Sequence, residues 1–168
     1  MRSGKNPLRR WMVNAGRLTK RHFLTAAFLA ALSGTALQAQ PASTIPHDRW
    51  IQPDALNREL QADPHAALIL QVGSHTLFEE DHIPGAEYAG PASTSAGLEV
   101  LRARVAGLPR DRSIVIYCGC CPWEHCPNIA PAWGLLEQMG FTKVRVLYIA
   151  HNFGADWVAR GYRAERSQ

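Results

Sequence analysis

The sequence lacks several features that would indicate particular classes of protein. It contains no internal repeat and no low-complexity segment, and charged residues make up only 19% of its 168 residues. Four cysteines are too few for a disulfide-dense scaffold. A hydrophobic content of 46% excludes a disordered or collagen-like chain. The length fits one domain of ordinary size and is too short for two.

Acidic residues are absent from the first 39 residues, which carry seven basic ones. Without those seven, 11 basic residues stand against 14 acidic ones, so the formal charge changes from +4 to −3. The basic character therefore belongs to this leader. The rest of the chain lacks the basic patch that nucleic-acid binding requires, and we predict no nucleic-acid partner.

Residues 1–39 have the three parts of a secretory signal: a charged start, an apolar core and a small-residue exit. The apolar run from Phe23 to Leu37, about 15 residues, is shorter than the roughly 20 of a membrane span. We therefore predict a periplasmic or secreted protein, which contacts the membrane only through this segment if it stays uncleaved. Residues 19–24 resemble the twin-arginine motif with Lys20 in place of the first Arg, so the Sec and twin-arginine routes both stay open.

Strand and helix patterns alternate after a tether at residues 40–49 and define one domain over residues 50–165. This alternation predicts an α/β fold in three layers, with a central parallel sheet flanked by helices. The predicted strands cover 66–72, 86–89, 113–117 and 144–149, and the predicted helices cover 53–61, 97–108, 128–139 and 154–160. Asn128 is predicted to cap the third helix, with Pro131 in its first turn and Gly140 at its end.

All four cysteines lie between Cys118 and Cys126. Cys118 directly follows the β-branched strand at 113–117 and precedes a loop that leads into a helix. Ligands collect at the carboxyl ends of strands in open parallel sheets, and N–H groups of such a loop and of a helix N-terminus lower the pKa of a thiol. This position predicts that Cys118 is a nucleophile or a metal ligand.

Five stretches, in this order, resemble the rhodanese-like family: ALILQVGS, LFEEDHIPGAEYAGP, LPRDRSIVIYCG, LLEQMGFTKVRVL and DWVARGY. The resemblance covers Trp50 to Glu165, and its most specific part is the run from His82 to Ala86 together with Tyr117-Cys118. It implies the rhodanese-like fold and a catalytic Cys118 that carries a persulfide between a small sulfur donor and a thiol acceptor, with no cofactor required. It also implies that the loop backbone cradles this sulfur through Gly119, Cys120, Cys121, Pro122 and Trp123.

The sequence departs from the family pattern in several places. Gln71 and Gly73 stand where the family usually has Asp and Arg, and Asn152-Phe153 replaces a glycine pair. The cysteine-rich loop is longer than in an ordinary sulfurtransferase. It has no Lys or Arg, since the next one after Arg112 is Lys143. Family members commonly bind an anionic donor with a cation in this loop, and phosphatases of the same fold need an Arg at its end, so the resemblance argues against phosphatase activity.

Three roles stay open for the clustered side chains Cys118, Cys120, Cys121, His125 and Cys126. They can form a persulfide relay or thiol–disulfide couple, with Cys126 as the resolving thiol and His125 as an acid/base. They can bind a soft metal, Zn or Cu, because thiolates and imidazole suit these ions. They can also pair as structural disulfides. The alternative to a sulfurtransferase is thus a non-enzymatic metal-binding or partner-docking module. We expect a monomer in either case.

Overall fold

The structure, a computed structural model, describes residues 45–167, in which strands and helices alternate. The predicted signal segment and residues 40–44 of the predicted tether lie outside this range. Within it, no helix combines the length and the apolar character that crossing a bilayer demands. The strands are β1 (Trp50–Ile51), β2 (Leu68–Gln71), β3 (Glu87–Tyr88), β4 (Ile114–Tyr117) and β5 (Val144–Leu147), and the helices are α1 (Pro53–Ala62), α2 (His75–Glu80), α3 (Ser95–Val105), α4 (Ile129–Gln138) and α5 (Phe153–Asp156).

The strands form one sheet in the order β1-β5-β4-β2-β3, and every pair is parallel. β4 lies at its centre, where Ile114 pairs with Leu68 of β2 on one side and with Val144 of β5 on the other. All four residues of β4 are buried, as expected for a parallel strand with both faces covered. The α/β architecture predicted from the sequence is confirmed.

Helices cover both faces of the sheet, which gives the three predicted layers. On one side, which we call the α3/α4 face, alternate strand residues such as Ile116 pack against Leu101 of α3 and Leu136 of α4. On the other, the α1/α5 face, Val115 and its neighbours pack with Leu56 of α1, with Phe153 of α5 and with Trp157. Because side chains alternate along a strand, successive residues at the end of β4 face different helices.

Three features of the fold differ from the sequence expectations or add to them. β1 and α2 were not predicted, since two residues are too few to show a period and α2 buries none of its residues fully. The predicted helix at 154–160 is α5 followed by a 3₁₀ turn at Val158–Arg160. The break falls at Trp157, whose indole is buried and donates to the carbonyl of Arg163 at 2.8 Å. Residues 45–49 of the predicted tether pack on the domain, because Ile45 lies in the core of the α3/α4 face.

Candidate functional site

Cys118 is the residue that directly follows the central strand β4, and it is only 3% exposed. Its side chain belongs to the core of the α3/α4 face, whereas that of Tyr117 belongs to the α1/α5 face. After Cys118 the chain forms a loop, which contains a 3₁₀ turn at Trp123–His125, and α4 then begins at Ile129. The cysteine therefore lies where the carboxyl end of the strand, the loop and the start of α4 meet.

Asn128 supplies a hydrogen-bond donor to the Cys118 sulfur. Its Nδ2 lies 3.3 Å from Cys118 Sγ, and its Oδ1 accepts from the N–H of Ser93 at 2.9 Å. The backbone N–H of Cys120 also points to this sulfur. Asn128 does occupy the N-cap position of α4, but the prediction that its side chain caps the helix is wrong. The side chain bonds Ser93 and Cys118 instead, and so fixes a donor at the sulfur.

Gln71 and Gly73 hold the other side of Cys118. Gln71 Nε2 donates to the carbonyl of Cys118 at 3.0 Å, and its Oε1 accepts from the N–H of Gly73 at 3.1 Å. A Cβ at position 73 would lie 2.6 Å from Cys118 Sγ, closer than atoms can pack. Gln71 and Gly73, which depart from the family pattern, thus contact Cys118 without a charged side chain. The missing Cβ of Gly73 leaves the space that the sulfur occupies.

Three of the four sulfur atoms form one group: those of Cys118, Cys120 and Cys126 all lie within 4.8 Å of one another. Cys120 Sγ is 3.1 Å from Cys118 Sγ and 2.9 Å from Cys121 Sγ. These separations exceed the roughly 2.05 Å of a disulfide, and all four residues are thiols. Neither Cys121 nor the exposed His125 belongs to the group. Of the five side chains that lie close together in the sequence, only those of Cys118, Cys120 and Cys126 form this group, which we call the three-thiol cluster.

The ionisation of Cys118 and Cys126 is shared. A hydrogen bond from Cys118, together with the N–H groups of Asn128 and Ile129, lowers the pKa of Cys126 to about 6. The same bond and then burial raise the pKa of Cys118 far above its ordinary value. In such a pair the first proton lost belongs to both sulfurs. The lowered pKa of Cys126 favours a thiolate on the pair, whose negative charge the two sulfurs share.

A cavity of about 290 Å³ opens beside Cys118. Cys118 and Cys120 line it together with Tyr117, with Phe153 of α5 and with Leu77 of α2. Glu80 and Asp81 also line it, and among the residues that the structure describes no Lys, Arg or His does. The Asp81 carboxylate is paired with Arg166 at 3.3 Å, which leaves Glu80 as the charge in this wall. The cavity thus offers a small, partly apolar space with a negative rim.

In the second half of the loop, backbone N–H groups donate to other backbone groups of the protein and are not free to bind an anion. The N–H of Trp123 donates to the carbonyl of Ile149 at 2.9 Å, and Pro122 has no N–H. The buried indole of Trp123 packs edge-on against Trp50 at 4.1 Å between centroids. The amide cradle expected over residues 119–123 therefore excludes Pro122 and Trp123, and the Cys120 N–H is its described donor to the sulfur.

The parallel sheet, the flanking helices and the strand-end thiol define an α/β protein with a buried cysteine at the carboxyl end of its central strand. A family model for the rhodanese-like domain matches residues 52–148. The chain therefore belongs to the rhodanese-like domain family. A search of curated proteins found no match.

Solved structures share this fold. The rhodanese-like domain of the Alr3790 protein from Anabaena sp. is 23% identical, with a TM-score of 0.52, and the match covers 71% of this chain and 80% of that one. The BH2092 protein from Bacillus halodurans is 18% identical, with a TM-score of 0.54, over 69% and 75% of the two chains. The protein hp1203 from Helicobacter pylori is 15% identical, with a TM-score of 0.51, over 73% and 94%.

The role of the Asn128 amide is the part of the site that sequence reasoning missed. Its partners Ser93 and Cys118 are 35 and 10 residues away, and nothing in the local pattern distinguishes such an Asn from an ordinary N-cap. Gln71 was noted only as a departure from the family pattern. Its position at the last residue of β2, beside β4 in the sheet, is the signal from which its contact with the Cys118 backbone could have been inferred.

Proposed function

We propose that this chain is an exported sulfurtransferase that carries sulfane sulfur on Cys118. The observation that carries the proposal is the position of Cys118 Sγ at the end of the central strand, beside a cavity and with two N–H donors aimed at it. Family membership supports sulfur transfer as the class of reaction. The composition of residues 1–39 supports export, and one chain supplies all residues of the proposed site, which is consistent with a monomer.

The reaction has two exchange steps. The Cys118 thiolate attacks the sulfane sulfur of a donor, a new S–S bond forms, and the donor's remaining part leaves with the electron pair of the broken bond. An acceptor thiolate then attacks the outer sulfur of the Cys118 persulfide and restores the Cys118 thiolate. Hydrogen bonds from Asn128 Nδ2 and the Cys120 N–H stabilise negative charge on the sulfur in both steps.

The charge of the cavity indicates the class of donor. Thiosulfate is a dianion, and a wall that contains Glu80 and no described cation disfavours it. We therefore expect a donor with less negative charge, such as a thiosulfonate monoanion or a neutral organic polysulfide. The apolar side chains of Leu77 and Phe153 suit the organic part of such a molecule.

Steady-state sulfur transfer from methanethiosulfonate to an acceptor thiol tests the proposal. Cys118→Ser removes the nucleophile and is expected to abolish turnover. Glu124→Gln, the control, changes an exposed residue of the same loop outside the lining of the cavity and is expected to retain turnover. Full turnover by Cys118→Ser would refute the assignment of the sulfur carrier.

The three-thiol cluster favours a second candidate, a soft-metal site formed by Cys118, Cys120 and Cys126. Thiolates select Zn²⁺ or Cu⁺, and a Zn–S bond of about 2.3 Å places ligand sulfurs roughly 3.8 Å apart, a spacing that small side-chain rotations can reach. A metal held there would occupy the Cys118 sulfur and block its attack on a donor. This is the non-enzymatic alternative.

Native mass spectrometry of protein from an export-competent host separates the two candidates. A stoichiometric Zn or Cu ion that is lost in Cys126→Ser favours the metal-binding module. A metal-free protein that accepts sulfur on Cys118 favours the sulfurtransferase.

A further inference from the structure

Cys126 is a second buried thiol close to Cys118, the proposed sulfur carrier. It is 5% exposed, and its side chain lies in the core of the α3/α4 face together with that of Cys118. The two sulfurs lie within 4.8 Å of each other. A disulfide between them, with an S–S bond of about 2.05 Å, therefore requires the side chains to rotate toward each other.

The start of α4 holds the Cys126 sulfur in place. The backbone N–H groups of Asn128 and Ile129 point to it, and these are N–H groups that the helix itself leaves unpaired. Asn128 thus contacts both sulfurs, Cys126 through its backbone and Cys118 through its side chain. The two thiols are fixed relative to each other by one residue.

The donor cavity does not include Cys126. Its walls contain Tyr117 and Phe153, which belong to the core of the α1/α5 face. A sulfur delivered through this cavity is attached to Cys118 from the cavity side. Cys126 approaches the same Sγ from the α3/α4 side. Thiol–disulfide exchange requires the attacking and leaving sulfurs to lie on opposite sides of the sulfur under attack, and a persulfide directed into the cavity would leave the α3/α4 side of Cys118 Sγ open to Cys126.

We propose that Cys126 resolves the Cys118 persulfide and releases its outer sulfur as sulfide. The Cys126 thiolate attacks Sγ of Cys118, and the Sγ–Sγ bond forms as the bond to the outer sulfur breaks. The outer sulfur leaves as hydrosulfide with the electron pair of that bond. The two cysteines lose two electrons and become a disulfide, while the sulfane sulfur gains two and becomes sulfide.

This inference rests on the proposed function, because it needs a persulfide on Cys118. It adds a product, sulfide, and a partner class, since a dithiol reductant must restore the two thiols before the next turnover. Cys120 lines the cavity, and its sulfur lies 3.1 Å from Cys118 Sγ. Its thiolate attacks Cys118 Sγ, a Cys118–Cys120 disulfide forms and Cys126 leaves as a thiolate. The dithiol reductant then reduces this disulfide at the exposed Cys120. Two dithiol electrons then return the Cys118–Cys126 pair to its starting state.

A single-turnover experiment on the reduced protein, under anaerobic conditions and free of added thiol, tests the inference. The probe is methanethiosulfonate, whose other product is a sulfinate, so that any sulfide comes from the transferred sulfur. Wild type is expected to release about one sulfide per chain and to show a Cys118–Cys126 cross-link in peptide mass spectra. Cys126→Ser is expected to release none and to retain about 32 Da on Cys118. The control Glu124→Gln changes an exposed residue of the same loop outside the lining of the cavity and should behave as wild type.

Two outcomes would overturn the inference while leaving the proposed function intact: a stable Cys118 persulfide in wild type without sulfide, or sulfide release by Cys126→Ser at the wild-type level. If neither wild type nor Cys126→Ser takes up sulfur, the proposed function itself fails. Cys126→Ala provides a second variant without the thiol, and near-ultraviolet circular dichroism identifies which variants are folded.

Discussion

The amide of Asn128 offers the sharpest test of how this site stabilises a thiolate. Asn128→Asp preserves the size of the side chain and the oxygen that accepts from the Ser93 N–H at 2.9 Å. It replaces the Nδ2 donor, 3.3 Å from Cys118 Sγ, with a carboxylate oxygen that repels a thiolate. The change therefore acts on the sulfur while keeping the bond that anchors the side chain.

The size of the effect follows from the hydrogen bond that is lost. A bond to a charged partner contributes about 1.5–3 kcal/mol, and about 1.36 kcal/mol corresponds to a factor of ten. The rate of sulfinate release in a single turnover, at saturating methanethiosulfonate and pH 7, should therefore fall about 10- to 150-fold. Asn57→Asp on α1 adds the same charge outside the lining of the cavity and should leave the rate unchanged. A wild-type rate in a folded Asn128→Asp protein would refute the role of the amide.

Three further predictions follow from the site. Gly73→Ala places a Cβ 2.6 Å from Cys118 Sγ and should lower the free energy of unfolding in urea by about 1–3 kcal/mol. Gly107→Ala, where the space is open, should leave this free energy unchanged. Equal stabilities of the two variants would contradict the tight contact between Gly73 and Cys118. Thiolate absorbance should increase as the pH rises through about 6, and this increase should be absent in Cys126→Ser. If the absorbance first increases only near the ordinary pKa of a thiol, the shared ionisation of Cys118 and Cys126 is contradicted. Glu80→Gln should raise the rate with thiosulfate about two- to fivefold and should raise the rate with methanethiosulfonate by a smaller factor. Equal increases with both donors would contradict the role of the Glu80 charge in donor selection.

The sheet and most of the helices could be predicted because their patterns are strong and local. Ile114–Tyr117 is β-branched and apolar throughout, and both ends of α4 carry Asn, Pro or Gly signals. β1 could not be predicted, since a two-residue strand is defined by its pairing with β5 and not by a period. The break in the last helix depends on the burial of Trp157, which is a tertiary effect.

The site could be located from the sequence, but its internal geometry could not. A cysteine directly after a buried strand marks the carboxyl edge of the sheet, and that prediction placed Cys118 correctly beside the start of α4. The spacing of the other thiols does not reveal which sulfurs meet. Cys120 and Cys121 are neighbours in sequence, yet only Cys120 joins the group with Cys118 and Cys126. His125 lies within the same run and is exposed.

The most direct test of the central claim is peptide mass spectrometry of the Cys126→Ser protein after treatment with methanethiosulfonate, since any persulfide accumulates in this variant. We predict an adduct of about 32 Da on the peptide that contains Cys118, removable by a thiol reductant. A folded protein with no sulfur on Cys118, whether inert or masked by a bound metal, would contradict the account.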